Sequence, residues 1–445
     1  MTSFPTYFSK HGKKVAVLSL IVAGSLGLAG CSAPTESNKT VASEIPAPPP
    51  ADSGVKPVIS KNTEGAFSNE EGFGVPFSSS KKNTLKTPDG GLSRFKGSSG
   101  EEVISFTSYK KDGKGNWEFT VPAIKDASTN SSSEENSAGV QLLRWEGKSY
   151  AVANQEATIN TSASGLKAGS SVKVYNTYVL DLETGKLVNT VKAEKPTDAS
   201  AVSDVFVPVS YAKPTERKIP FLNALITTGT VANASSYRVL DPLTSKVILE
   251  STGNSENVPY FSGTDFRDLD ISALNQTYGG FKSTKPAGYF GNIVLLRSGY
   301  EYEVGAYNPR DNKNYSFYNM NNKTTVASME CENSSTSNEG SGAYSANFRY
   351  VVFNGTFVLD TQSGKTFCGA KTATRSGLLV TSIDNKGNMF GSNDAGKLLK
   401  VSIEDNDALV ELYPTASHDV PESITSEGYG VFPSGDNTIL LPLKK

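Results

Sequence analysis

The chain carries three cysteines, Cys31, Cys331 and Cys368, and two histidines, His11 and His418. Nucleophilic, redox and metal chemistry lean heavily on these two residue types, so their positions limit what the protein can do. No two cysteines have the CxxC spacing of a redox couple or a zinc knuckle. His11 lies in an N-terminal stretch with the layout of a cleaved leader, which leaves His418, in "TASHDVPES", for the mature chain. A zinc site of two or three histidines cannot be assembled from it, and any Ser-His-Asp arrangement would have to pass through it. No second catalytic element points to His418, so it reads as a solvated or hydrogen-bonded histidine of a surface loop.

Carboxylates could act without histidine, since glycoside hydrolysis needs only two of them at a suitable separation. "DFRDLD" gathers Asp265, Asp268 and Asp270, oxygens that a hard cation such as Ca²⁺ could use, but without the EF-hand spacing. "EDNDA" at 404–408 is a weaker version. A solvated turn is the preferred reading of both, because Asp and Asn populate turns for reasons of their own. "SGKT" at 363–366 ends like a phosphate loop, yet the first glycine of GxxxxGKT would fall on Leu359. "GSSGEE" at 97–102 lacks the GxSxG spacing of a nucleophile elbow. No catalytic residue, metal or cofactor is expected.

Aromatic residues offer binding instead. "NQTYGGFKSTKPAGYFGN" and "AYNPRDNKNYSFYNMNNK" place Tyr278, Phe281, Tyr289, Tyr307, Tyr315 and Tyr318 in a Gly- and Asn-rich region. Such rings could present rigid, amphipathic contacts to a sugar or a protein, the competing reading being that alternate members fill the core of a strand.

The leader has a basic start (Lys10, His11, Lys13, Lys14), an apolar run from Val15 to Leu28, and small residues before Cys31. An apolar run of about 14 residues is short for a bilayer span, which takes roughly 20. The layout is that of a secretory signal. The tetrad Leu28-Ala29-Gly30-Cys31 resembles the lipobox of bacterial lipoproteins. That resemblance implies a diacylglyceryl group on the Cys31 thiol and cleavage that leaves Cys31 as the new N-terminus. Residues 1–30 would then be signal peptide, and palmitate-type chains would hold the protein on the outer side of the cell membrane. An ordinary signal cut near Ala33 is the alternative.

Loss of the leader removes three lysines and no acid from a balance of 43 basic and 45 acidic residues. A near-neutral, slightly acidic chain has no electrostatic footprint for nucleic acid. After the anchor, residues 31–59 are rich in Pro, Ala and Ser with no apolar period, the composition of a disordered tether. Stretched as polyproline it would reach ~80 Å.

From residue 60 to 445 short alternating apolar runs recur between Gly, Asn, Asp and Pro, which predicts many short strands. "LLVTSIDNKGNMFGSNDAGKLLKVSI" (378–403) divides into three strands and two turns, with "ALVELYP" (408–414) as a fourth strand. "YVLDLETGKLVNTV", "YRVLDPLTSKVILES" and "TFVLDTQSGKTFC" repeat a strand ending in Asp181, Asp241 or Asp360, a tight turn, and a Lys that opens the next strand. Gly185 and Gly364 would supply the left-handed turn position; Ser245 weakens the second copy. These copies resemble the repeat of pyrroloquinoline-quinone-like and related β-propellers, in which "vyaldl-tG-k" joins two strands of a blade. The resemblance implies an all-β propeller, and at about 40 to 50 residues per blade the chain holds roughly seven. The run "YGVFPSGDNTILLPL" (429–443) would pair with the first strands and close the ring. Two β-sandwich domains are the structural competitor.

Cys331 and Cys368 form an even pair in an exported chain, most simply one disulfide, with two buried free thiols as the alternative. The expected function is a non-catalytic binding or scaffold component of an envelope assembly, transport or sensing complex, with envelope proteins or cell-wall glycan as partners. Propeller lipoproteins resembling the outer-membrane assembly factor work in that way. A carbohydrate-active or quinone-dependent propeller enzyme and a glycan or solute receptor are the other readings.

Overall fold

The computed structural model describes residues 66–77, 84–125, 140–161, 170–196, 206–208, 222, 225–231, 234–252, 284–298, 314–319, 324–332, 342–371, 376–393, 396–411 and 419–444. Residues 1–47 and 48–445 are separate units, and every described residue belongs to the second.

The described residues form seven four-stranded antiparallel sheets, one after another along the chain. Blade one is β2 (Thr84–Thr87), β3 (Gly90–Lys96), β4 (Glu102–Ser108) and β5 (Trp117–Thr120). Blade two is β6 (Val140–Trp145), β7 (Lys148–Thr161), β8 (Ser170–Asp181) and β9 (Leu187–Pro196). Blade three is β10 (Val207–Pro208), β11 (Leu225–Val231), β12 (Ala234–Leu240) and β13 (Val247–Thr252). Blade four is β14 (Thr284–Phe290), β15 (Ile293–Ser298), β16 (Asn314–Asn319) and β17 (Thr324–Glu330). Blade five is β18 (Ala343–Tyr344), β19 (Tyr350–Phe353), β20 (Phe357–Asp360) and β21 (Thr366–Cys368). Blade six is β22 (Leu379–Ile383), β23 (Asn388–Ser392), β24 (Leu398–Ser402) and β25 (Asp405–Glu411), the meander expected there. Blade seven joins β26 (Ser423–Ile424), β27 (Tyr429–Ser434) and β28 (Asn437–Pro442) to β1 (Phe73–Val75), in the order β1-β28-β27-β26.

That last sheet makes the fold a closed β-propeller. Phe73 pairs with Leu440 and Val75 with Thr438, so a strand from the start of the domain completes the last blade. Closure gives the last blade its fourth strand, so all seven sheets have four strands and only short blade edges remain. Phe67 extends the seam by bridging Leu443, and its ring sits 5.2 Å from Phe432 and 5.8 Å from Phe390. Gly430 is required beneath it, because a Cβ there would lie 2.5 Å from the Phe67 ring.

In blade five the middle strands β19 and β20 are buried over their full length, on both faces. Period-two alternation is lost there and survives toward the outside. Blades one and two share the cluster around Leu92, Ile104, Trp117 and Leu180. Blades five and six share Tyr350, Phe367, Ile383 and Met389, and blades seven and one share Tyr109, Phe77 and Val431. At the outer edge of blades four and five the Cys331–Cys368 disulfide ties the end of β17 to β21, with Cα atoms 5.5 Å apart. Blade two departs from the rest: three of its four strands run 14, 12 and 10 residues, whereas those of the other sheets do not exceed 7.

Candidate functional site

Where they are described, the turns from first to second strand and from third to fourth share one face of the ring, called here the turn face. The Asp repeats build the second set. In blade two Asp181 Oδ1 accepts from the Thr184 backbone N–H at 2.9 Å and from its hydroxyl at 2.8 Å. In blade three Asp241 Oδ1 accepts from the Leu243 N–H at 2.8 Å. Each carboxylate holds its own turn in a bend that the following residue completes with positive φ: Gly185 at 67°, Ser245 at 59° and Gly364 at 74°. Ser245 therefore adopts the glycine conformation, and the copy that looked weakest in sequence forms the same turn.

In blade five the turn carries an extra partner. Asp360 is fully buried, and its Oδ1 accepts from Arg349 Nε at 3.0 Å while Oδ2 accepts from Arg349 Nη2 at 2.7 Å and Ser363 Oγ at 2.6 Å. Burial alone would raise the carboxyl; the bidentate guanidinium and the Ser363 and Gln362 donors outweigh it and hold the group well below the usual carboxylate range. Arg349 in turn lies over the Tyr350 ring at 4.8 Å. Lys365 pairs with Glu404 of blade six, which accounts for the lysine of "SGKT". Asp384 caps a different turn, between β22 and β23, with its Oδ1 accepting from the Lys386 and Asn388 N–H groups, both at 2.8 Å.

Among the described residues, side chains of blades two, four and five meet across the ring. The Arg144 guanidinium of β6 lies 4.2 Å from the centroid of the Phe348 ring, which stands in the β18–β19 turn of blade five. Blades two and five are not neighbours, so this contact crosses the axis. Leu142 of blade two joins Phe290, Phe317 and Phe353 of blades four and five in one cluster, with Leu85, Tyr344 and Phe348 packed against it. Leu222 lies along β6, donating to Leu142 O at 2.7 Å and accepting from Arg144 N at 2.8 Å. Burial pushes the Tyr344 phenol up, with Asp89 and Tyr109 of blade one adding to the shift.

The remaining sequence candidates fall as follows. Tyr315 and Tyr318 are 3% and 4% exposed; Tyr315 rests 4.3 Å from Phe357 between blades four and five. Both rings are buried, Tyr315 with its alternate neighbour Phe317, and present no open face to a ligand. Tyr289 stands in β14 opposite Val294. Tyr278, Phe281, Tyr307, Asp265, Asp268, Asp270, His418 and Cys31 lie outside the described residues. "GSSGEE" closes the β3–β4 hairpin, with Gly100 N donating to Gly97 O at 3.0 Å. Among the described residues no three His, Cys, Asp or Glu side chains are grouped to hold a metal ion, and no helix is long and apolar enough to cross a membrane. Two features escaped the sequence reading altogether: the Arg349–Asp360 pair and the Arg144–Phe348 contact. The "NFRY" run at 347–350 carries a faint trace of both, an aromatic residue and an arginine placed in a turn.

No protein-family pattern matches the chain, and no curated protein matches it in sequence. Solved structures align with it along most of its length. The WD40 repeats of RRP9 are 9% identical over 85% of this chain and 99% of theirs, with a TM-score of 0.34. BamB from Moraxella catarrhalis is 9% identical over 84% and 97%, with a TM-score of 0.27. The WD40 domain of Toxoplasma gondii coronin is 7% identical over 86% and 85%, with a TM-score of 0.28.

Proposed function

We propose that this protein is a lipid-anchored, extracytoplasmic propeller that binds envelope proteins as a non-catalytic scaffold. In this reading Cys31 carries the acyl chains, residues 32–59 form the tether, and the ring presents its turns to partners. The observation that supports the binding role is the meeting of blades two and five across the ring. Arg144, Phe348, Leu142 and Tyr344 meet there, an aromatic and aliphatic grouping with no reactive constellation among the described residues. What a rigid ring then offers is surface, and its two faces of turns are that surface.

Two measurements test the reading separately. Mass spectrometry of the N-terminal peptide from membranes should find diacylglycerol-modified Cys31; an unmodified Ser32 or Pro34 terminus overturns the anchor. Crosslinking in intact cells, followed by affinity capture and reciprocal capture from the partner, should recover the same envelope protein both ways. Recovery of nothing beyond background overturns the scaffold.

A further inference from the structure

Blade two carries an arm. β6 pairs with β7 from Trp145↔Lys148 to Val140↔Ala153, but β7 and β8 stay paired as far as Thr161↔Ser170, and β8 and β9 as far as Val172↔Pro196. Beyond Ala153 the sheet consists of β7, β8 and β9 alone among the described strands, and it is held by its own side chains. Asn176 Nδ2 donates to Gln155 Oε1 at 3.2 Å, Lys173 Nζ donates to Glu156 Oε1 at 2.8 Å, and Gln155 Nε2 ties the arm to Pro122 O at 3.1 Å. The outer strand is β9, and no described strand lies beyond it. Its end, Lys192-Ala193-Glu194-Lys195-Pro196, is exposed at every residue but Ala193, which is half-buried.

The ladder decides which backbone groups of β9 face outward. Leu182 N donates to Ser149 O at 3.2 Å and Asp181 N to Lys186 O at 2.9 Å, so even-numbered residues of β8 turn their backbone groups toward β7 and odd-numbered ones toward β9. The partners of the odd-numbered residues are Val191, Ala193 and Lys195, whose own N–H and C=O groups therefore point back to β8. Lys192 and Glu194 are left with N–H and C=O directed out from the edge, and Pro196 turns its missing donor the same way, where a strand tolerates it. Thr190 N donates to Asn189 Oδ1 at 2.9 Å, so the open run begins at Lys192. Lysine alone on such an edge would discourage pairing, but Glu194 supplies the opposite charge two positions on. Two copies of β9 can meet antiparallel about a two-fold axis with these outward groups in hydrogen-bonding phase. A register centred on Lys192 sets lysine against lysine, and one centred on Glu194 sets glutamate against glutamate. The register centred on Ala193 sets each Lys192 opposite the other copy's Glu194, on one face of the joined sheet, and each such pair exchanges both of its backbone hydrogen bonds. We propose that the protein forms a two-fold dimer through β9 in that register, the arms of two copies merging into one continuous sheet. Val191 is the last residue of β9 in the core shared with blade three, so the centre of the pairing lies past the ring, and the two rings are offset along the strands. An edge of this length places the contact among small, reversible interfaces.

The test uses the chain from residue 31 onward with Cys31→Ser, which keeps every described sheet because all lie within the 48–445 unit. The proposal is independent of the reading of Cys31, which that substitution removes. Sedimentation velocity over a concentration series should show a monomer–dimer equilibrium. Lys192→Glu and Glu194→Lys should each weaken it by about tenfold or more, because each puts like charges at both pairs. An equimolar mixture of the two variants should recover the dimer, since a mixed pair has opposite charges at both places; a variant that merely failed to fold could not be rescued in this way. Ala193→Cys should crosslink to itself on mild oxidation, its Cα about 4.5 Å from that of its symmetry mate, whereas Thr190→Cys should not. Cys331 and Cys368 are bonded to each other and do not compete. A monomer at every concentration, a dimer indifferent to both charge reversals, a mixture that stays monomeric, or Thr190→Cys crosslinking as readily as Ala193→Cys each overturns the proposal.

Discussion

The Arg144 guanidinium stacks on the Phe348 ring 4.2 Å away, and in doing so joins blade two to blade five through the middle of the propeller. Phe348 reaches this position from a backbone conformation with φ of 61°, unusual for an aromatic residue. Strain at that residue is offset by the contact it makes.

Arg144→Met and Phe348→Leu should each lower stability, the cation–π part being worth about 1 kcal/mol. The double variant should lose less than the two singles together, because each removes the same contact. Urea unfolding of the four proteins measures this; strict additivity would mean that the two side chains act independently.

Asp360 should make the ring acid-sensitive. Its carboxyl is held below the usual range in the folded chain and returns to about 3.9 on unfolding, so its stabilisation is complete above that value and drains as pH falls toward the folded one. Asp360→Asn should cost about 3 kcal/mol at neutral pH, where it breaks a buried pair, and progressively less in acid. Arg349→Gln should flatten the same acid limb. Denaturant midpoints followed from about pH 7 down to pH 3 decide it; an unchanged acid slope in both variants would discard the assignment.

Reduction of Cys331–Cys368, or replacement of both by Ser, should lower stability by about 4 kcal/mol in the chain-entropy view of a loop spanning 37 positions. The loss should appear first at blades four and five, as faster hydrogen exchange in β17 and β21. Unaltered exchange there would show that aromatic packing alone holds the two sheets.

At the closing seam Phe67→Ala should cost about 3 to 5 kcal/mol, the usual penalty for removing a fully buried ring. Gly430→Val should be damaging too, since its Cβ would drive into the same ring. Circular dichroism melts give both; a wild-type midpoint in Phe67→Ala would show that β1 and β28 hold without it.

Short-range chemistry was the legible part of this fold. The meander at 378–403 and the turns after Asp181, Asp241 and Asp360 could be read because an Asx cap and a left-handed residue act over three or four positions. The same locality misleads: Asp384 caps as well as Asp360 does, but in the turn between first and second strands, and its letters do not say which turn they serve. The closing strand was legible as a short apolar run after a turn, whereas the 14-residue β7 was not, because "VANQEATIN" is polar and lacks an apolar period. Tyr315 and Tyr318 looked available in the sequence because Asn and Ser surround them; pairing with β15 and β17 turned both rings inward. Arg144 and Phe348 meet only once the ring exists, so no local pattern could announce them.

The pairing of Phe73 with Leu440 also has a consequence in time. These partners lie at opposite ends of the domain, and a chain delivered from its N-terminal end presents the first long before the second. Six blades can form as hairpins appear, but the seventh must wait for β28, with its own first-made strand left idle in the meantime. Assembly therefore ends on the contact of greatest sequence separation, the slowest kind to find. Until then β1 is an open edge that a chaperone, or a second copy of β28, could occupy.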